Sequence, residues 1–245
     1  MSGDLYYVYG VAFDDVQLPE DVQGLDERPV DVVRSGSLAA VVSELSTDLR
    51  LGKRRHLLTH SRVLDTIAQQ APIVPLRFGT VVETRAAAVE LLDAAEDRLV
   101  PLLHSLNGTS QYTVHARYDE QQVLAEIVAE DPQIADLHRQ TRGTSDETTL
   151  NARLRLGELV AAALDHKRAA DAPSVLEPIA KHAVAHSVRS PATDVERLVD
   201  AAFLVEDRNA GQFDRAAEAV ARALHGRVRI KLVGPTAPYD FVTEL

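Results

Sequence analysis

The segment that most constrains this chain is Pro72-Ile73-Val74-Pro75-Leu76-Arg77-Phe78-Gly79-Thr80-Val81-Val82, an apolar run between two helical patterns. Read as a strand with period two, it puts Val74, Leu76 and Phe78 on one face and Ile73, Arg77 and Gly79 on the other. Pro72 and Pro75 lack a backbone donor, which places them at the strand start or along an unpaired sheet edge. Gly79 admits a bulge or the close approach of another backbone. Arg77 is the exception in the run. It is either an edge residue whose charge snorkels to water or a buried charge held by a carboxylate.

Upstream, Leu5-Tyr6-Tyr7-Val8-Tyr9-Gly10-Val11 is rich in aromatic and β-branched residues and reads as a first strand. Val30–Arg34 and Leu38–Val42 flank Ser35-Gly36-Ser37 as a hairpin. A helix follows over about Leu51 to Gln70, with Leu57, Val63, Leu64 and Ile67 as its apolar stripe. After the constraining segment, Thr84 is placed to cap a helix from Arg85 to about Leu103. Residues 1–105 therefore read β-β-β-α-β-α, an N-terminal mixed α+β domain.

The polar Ser105–Ser110 stretch, with its Asn-Gly pair, predicts a domain boundary. Beyond it, Tyr112, Val114, Ala116 and Tyr118 alternate on one face of a strand, and a helix runs from about Glu120 to Ala129. Pro132 opens a short helical segment, Arg142 to Thr149 is a polar interruption, and Leu150 to about Asp171 is a strong helix. A separate helical piece from Val175 to about His182 is expected, because Pro173 and Pro178 oppose a continuous one. Strands at Ala185–Arg189, Asp200–Val205 and Val228–Val233 surround a helix from Gln212 to Leu224 that ends at Gly226. Residues 106–245 thus read β-α-β-β-α-β with an enlarged first helical region, the ferredoxin-like pattern. The predicted fold class is α+β in two domains.

A length of 245 residues with 45% hydrophobic composition supports a real core, and the 4% aromatic content leaves that core to Val, Leu, Ile and Ala. The formal net charge of −11 opposes a nucleic-acid partner, since basic clustering is confined to Arg50, Lys53, Arg54 and Arg55. With no cysteine, disulfides, thiolate metal sites and cysteine nucleophiles are excluded. Met1-Ser2-Gly3-Asp4 shows neither a basic nor a long apolar region, and no run approaches the ~18 apolar residues of a membrane span. The expectation is a cytoplasmic protein without membrane insertion.

Chemistry is sparse. His56 with His60 and His182 with His186 stand at helical i,i+4 spacing, which is how helical metal sites begin. Neither pair has the glutamate of a metalloprotease helix, and packed or solvated histidines are the simpler reading. Asp14-Asp15, Glu126-Glu130-Asp131 and Glu206-Asp207 lack a cation-loop spacing and read as solvated surface. No phosphate-binding glycine loop and no nucleophile elbow occur, so no catalytic, cofactor or metal residue is assigned. The ending Gly234-Pro235-Thr236-Ala237-Pro238-Tyr239-Asp240-Phe241-Val242 is a turn leading into an extended tail. Tyr239 and Phe241 either pack back on the sheet or insert into a partner as a docking segment.

Four pieces occur together and in order: the Tyr6-Tyr7-Val8-Tyr9-Gly10-Val11 strand, the His60-bearing helix before Ile73–Val81, the Ala201–Val205 strand, and Gly234-Pro235 followed by Pro238–Val242. They resemble the gas vesicle protein GvpL/GvpF family, and the resemblance covers essentially the whole chain. It implies two α+β domains, the second a modified ferredoxin-like fold. It also implies a non-enzymatic role in forming gas vesicles, the protein-shelled, gas-filled flotation compartments of some bacteria and archaea. Family members are accessory or minor vesicle components associated with the small hydrophobic shell protein and with other accessory proteins. The residues expected to meet such a partner are Arg77, Tyr239 and Phe241. Two other readings stand beside it: a small-molecule-binding protein or enzyme using an interdomain cleft near Arg77, and a metal-binding regulator acting through the histidine pairs.

Overall fold

A computed structural model describes residues 5–46, 49–143, 146–189 and 196–242. The Met1–Asp4 start and part of the Arg142–Thr149 interruption lie outside the described residues. The chain forms two compact units, one of Met1–Tyr112, Leu204–Arg208 and Val233–Leu245, the other of Thr113–Phe203 and Asn209–Leu232. The expected boundary at 105/106 divides the chain once, whereas the units interleave: the last segment belongs with the first unit.

The first unit is built on β1 (Leu5–Phe13), β2 (Asp31–Ser35), β3 (Leu38–Leu45), α1 (Arg54–Ala68), β4 (Ile73–Pro75), β5 (Val81–Val82) and α2 (Arg85–Leu106). The strands form an antiparallel sheet in the order β2-β3-β1-β4, with β5 also on β1. The β2–β3 hairpin turns tightly through Gly36, whose φ is +55°. Both faces of β1 are covered. Tyr6, Val8 and Val11 join Leu92, Leu99 and Leu103 of α2 in one core, while Tyr7, Tyr9 and Ala12 join Val63, Leu64 and Ile67 of α1 in the other. The side-chain alternation shifts at a bulge between Val8 and Gly10, which is why Tyr9 and Val11 end on opposite faces. Gly10 is required there: a Cβ would lie 2.7 Å from the Val74 carbonyl oxygen and 2.8 Å from Leu64 Cδ2. Thr84 caps α2 as expected, its Oγ1 accepting from Ala87 N–H at 3.0 Å.

The expected single strand over 72–82 is two short ones. β4 and β5 both pair with β1, and residues 76–80 leave the sheet between them. Gly79 takes φ +97°, a conformation that turns the chain and that side-chain-bearing residues rarely adopt. Phe78 consequently packs in the α1-side core, not beside Val74 and Leu76 in the α2-side core. The prolines behave as expected: β4 is an edge strand, with Pro72 just before it. Arg77 is neither a strand residue nor a buried charge but an exposed residue of the turn.

The second unit contains the greater part of β6 (Thr109–Tyr118), β8 (Arg197–Glu206) and β9 (Val228–Thr236), with α3 (Glu120–Glu130), α4 (Pro132–Thr141), α5 (Asp146–Ala180), β7 (Ala185–Val188) and α6 (Ala210–Ala223). The strand order is β7-β8-β6-β9. Asp119 caps α3 through Gln122 N–H at 3.2 Å, and Asp131 caps α4 through Gln133 N–H at 2.8 Å. α5 runs unbroken through Pro173 and Pro178, against the expectation of two helices. An internal proline costs about 3 kcal/mol. Here fully buried Val175 and Ile179 pack the C-terminal part of the helix, and Asp171 is tied down just before Pro173. Its carboxylate accepts from Tyr118 O–H at 2.7 Å and from Arg227 at 2.6 Å. Arg227 also grips Glu126 at 2.8 and 2.9 Å, and Lys167 bonds Glu130 at 2.8 Å and pairs with Glu126 at 3.1 Å. Glu126 is therefore a structural ion-pair residue and not solvated surface. Its hydrogen bond to Arg227 holds its carboxyl below the usual carboxylate range.

Candidate functional site

The residues singled out by the sequence lead to one buried imidazole in the first unit. His60 lies on α1, whose buried residues include Val63, Leu64 and Ile67, and its own side chain is buried. Its Nδ1 shares a 2.9 Å hydrogen bond with the Tyr7 hydroxyl, which also accepts from Gly79 N–H at 3.1 Å. The imidazole stacks on Tyr9 (centroids 5.8 Å apart, planes at 24°) and meets the edges of Tyr7 and Phe78 at 5.6 Å. Tyr239 closes the group at 6.3 Å. Burial pushes His60 down to about 4, so the ring is neutral at ordinary pH. Burial likewise raises the Tyr7, Tyr9 and Tyr239 phenols. The Tyr9 hydroxyl is fully engaged, bonding Ser43 Oγ and accepting from Leu25 N–H, both at 2.8 Å.

The C-terminal segment is rooted in this unit. Ala237 N–H donates to Asp65 Oδ1 of α1 at 2.8 Å. Burial raises the Asp65 carboxyl, and this bond partly offsets it. Gln111 and Asp240 exchange two bonds: Gln111 Nε2 donates to Asp240 Oδ2 at 2.7 Å, and Asp240 N–H donates to Gln111 Oε1 at 2.9 Å. Tyr239 then packs on the α1-side core, and Phe241 and Val242 on the α2-side core. Both aromatic rings are half-buried.

The structure thus gathers two of the three expected partner residues. Arg77 stands exposed on the turn whose Phe78 touches His60, and Tyr239 reaches the same ring. Phe241 packs on the other core. The sequence favoured packed or solvated histidines over a ligand pair at His56 and His60, but His60 as the link rests on aromatic neighbours distant in the chain, which its spacing from His56 does not reveal. His56 is also buried on α1, with its Nε2 4.0 Å from Asp26 Oδ1. His186 has left the helix, and its ring stacks on Phe203 at 5.8 Å. Among the described residues, no group of three His, Cys, Asp or Glu side chains is placed to hold a metal ion. Chemically, the arrangement is a rigid aromatic mount that fixes the Arg77 turn and the C-terminal segment to one helix.

The family model described as "Gas vesicle synthesis protein GvpL/GvpF" matches residues 5–243. A gas vesicle protein F from a Streptomyces species is 35% identical over 239 residues, covering 96% of this chain and 98% of that protein. Gas vesicle protein L from the same source is 30% identical, covering 98% and 94%. The crystal structure of GvpF from an Anabaena species superposes with a TM-score of 0.80 at 25% identity over 98% of each chain. GvpF from Microcystis aeruginosa gives a TM-score of 0.77 at 23% identity over 97% of this chain and 98% of that one.

Proposed function

The chain belongs to the GvpL/GvpF family of gas vesicle synthesis proteins, and we propose that it is an accessory or minor structural component that binds the small hydrophobic shell protein and helps vesicle nucleation and assembly. The observation that carries this reading is the family match along almost the whole chain, joined to a surface suited to an apolar partner. On that surface the Arg77 turn and the C-terminal segment share the His60 mount. The helix that bears His60 also exposes Leu57 and Leu58 to about half their area, 49% and 53%. A partner meeting a preformed turn and a hydrogen-bonded segment loses less ordering entropy than one meeting a free arm. Arg77, Tyr239 and Phe241 are the proposed contact residues, with Arg77 setting orientation. The second unit's β-α-β-β-α-β order supports a modified ferredoxin-like domain as the other half of the protein.

No enzymatic family is indicated by any of the relatives, and the role proposed is one of binding. No helix among the described residues is long and apolar enough to cross a membrane. The reading places the protein in the cytoplasm with the vesicles and with other accessory proteins. The test is co-purification with a tagged gas vesicle shell protein in cells lacking the other vesicle proteins. Retention is expected, falling at least fivefold for Arg77→Glu combined with Leu57→Ser. Absence of retention by the unaltered chain, with the protein folded and abundant, would refute direct shell-protein binding.

A further inference from the structure

The second unit carries a groove of about 560 Å³ that the foregoing reading does not use. His115 and Arg117 of β6, Arg197 of β8, and Arg229 and Lys231 of β9 line it around Asp200. Strand alternation explains the sidedness. Val114, Ala116 and Tyr118 are buried, with Tyr118 bonding Asp171 of α5, so His115 and Arg117 turn to the face away from that helix. In β9, Val228 is buried while Arg229 and Lys231 are exposed.

The groove has a buried, ion-paired floor and an exposed charged rim. Asp200, only 8% exposed, takes Arg189 Nη1 at 3.0 Å, Arg197 Nη1 at 3.2 Å and His115 Nδ1 at 3.4 Å. Glu196 lies 3.3 Å from Arg117 Nε and 3.7 Å from Arg229 Nη2. Arg229 is nevertheless 71% exposed, and Lys231 makes no ion pair among the described residues. Among the described residues, five cations, Arg117, Arg189, Arg197, Arg229 and Lys231, therefore surround two carboxylates, Asp200 and Glu196. That is a local reversal of sign in a chain of net charge −11.

We propose that this face binds a short, extended acidic segment of a protein partner, with its carboxylates on Arg229, Lys231 and Arg117. Arginine and lysine side chains projecting from adjacent strands suit carboxylates on alternate residues of an extended chain. A nucleic acid fits less well. The tyrosines of β6, Tyr112 and Tyr118, are buried and leave no aromatic platform for stacking bases. A long polyanion would also meet the negative charge of the whole chain, whereas a segment of a few residues meets only the groove.

The test is fluorescence anisotropy with the full chain and a dye-labelled decapeptide of alternating Glu and Ser. Binding is expected at low salt, weakening as salt rises. Replacing every Glu of the peptide by Gln should weaken it at least tenfold. Arg229→Glu with Lys231→Glu should also lose at least tenfold, while Arg54→Glu with Arg55→Glu, at the exposed start of α1, should lose less than twofold. The groove variant should in turn gain affinity for the matching Lys-Ser peptide. Far-UV circular dichroism checks that both variants fold as the unaltered chain does. Equal losses from the groove and α1 variants would overturn the proposal. So would equal binding of the Gln peptide, or tighter groove-dependent binding of a single-stranded oligonucleotide of matched length.

Discussion

In the first unit β1 is buried along almost its whole length because helices close both faces of the sheet, whereas in the second β9 alternates and keeps a charged face exposed. The two sheets consequently rely on different physics. Around β1, tightly packed apolar side chains do most of the work, with His60 and three tyrosines as polar exceptions inside the core. Around the start of β9, the half-buried Arg227 binds Glu126 and Asp171 and lies over the Tyr118 ring at 5.5 Å. The contrast teaches that one chain can place its sensitivity to volume in one region and its sensitivity to charge in another.

The sharpest way to break the comparison is Arg227→Met, which leaves Glu126 and Asp171 without their guanidinium. A loss of about 3 kcal/mol is expected, since stranding a partly buried charge costs more than the pair contributes. Urea unfolding measures it, and hydrogen exchange should show lost protection concentrated in α3 and α5. Protection lost equally in β1 and β3 would contradict the division of labour drawn here.

Acid provides the next test, because the two regions respond in different windows. His60 is lowered from 6.5 to about 4 in the folded protein, so the unfolded chain takes up its proton first. Its contribution is complete above pH 6.5 and is lost as pH falls toward 4, by about 2 kcal/mol at pH 5. The Arg227 hydrogen bond holds Glu126 below its ordinary 4.5, so its contribution persists through that window and is lost only as pH falls below 4.5. Stability measured from pH 7 to pH 5 should therefore slope in the unaltered chain and flatten in His60→Gln. An unchanged slope would remove His60 as the cause.

Smaller effects sharpen the packing side. Gly10→Ala pushes a methyl group toward the Val74 carbonyl and Leu64, and should cost about 1.5 kcal/mol by urea titration. Alanine at Gly211, where a Cβ meets only the end of Arg215 at 3.5 Å, is the control and should cost nothing measurable. Thr84→Ala removes the cap of α2 and should cost about 1 kcal/mol, with fraying confined to the first turn by hydrogen exchange.

Much of the secondary structure was legible because it rests on local chemistry. The Ser35-Gly36-Ser37 turn, the Thr84 cap and the Pro132 helix start each depend on residues within a few positions. The alternation of Tyr112, Val114, Ala116 and Tyr118 marked a strand with one helix-covered face. The failures came from distant contacts. Nothing near Gly79 announces that the Tyr7 hydroxyl will hold its amide, so the break between β4 and β5 was invisible. The continuity of α5 past Pro173 depends on Tyr118 and Arg227, far away in sequence. His60 was noticed for its spacing from His56, yet its role follows from aromatic neighbours contributed by β1, the 76–80 turn and the C-terminal segment.

The hydrogen bond from Ala237 to Asp65 joins residues 172 positions apart. On a ribosome adding about 5–20 residues per second, Asp65 is made roughly 10 to 35 s before its partner. During that interval β1 and α1 exist without Ala237 or Tyr239, while Thr113–Phe203 and Asn209–Leu232 are being synthesised. The unit that begins the chain is thus the one completed last. Its aromatic face therefore stays open to other nascent or newly made chains until Ala237 and Tyr239 have left the ribosome.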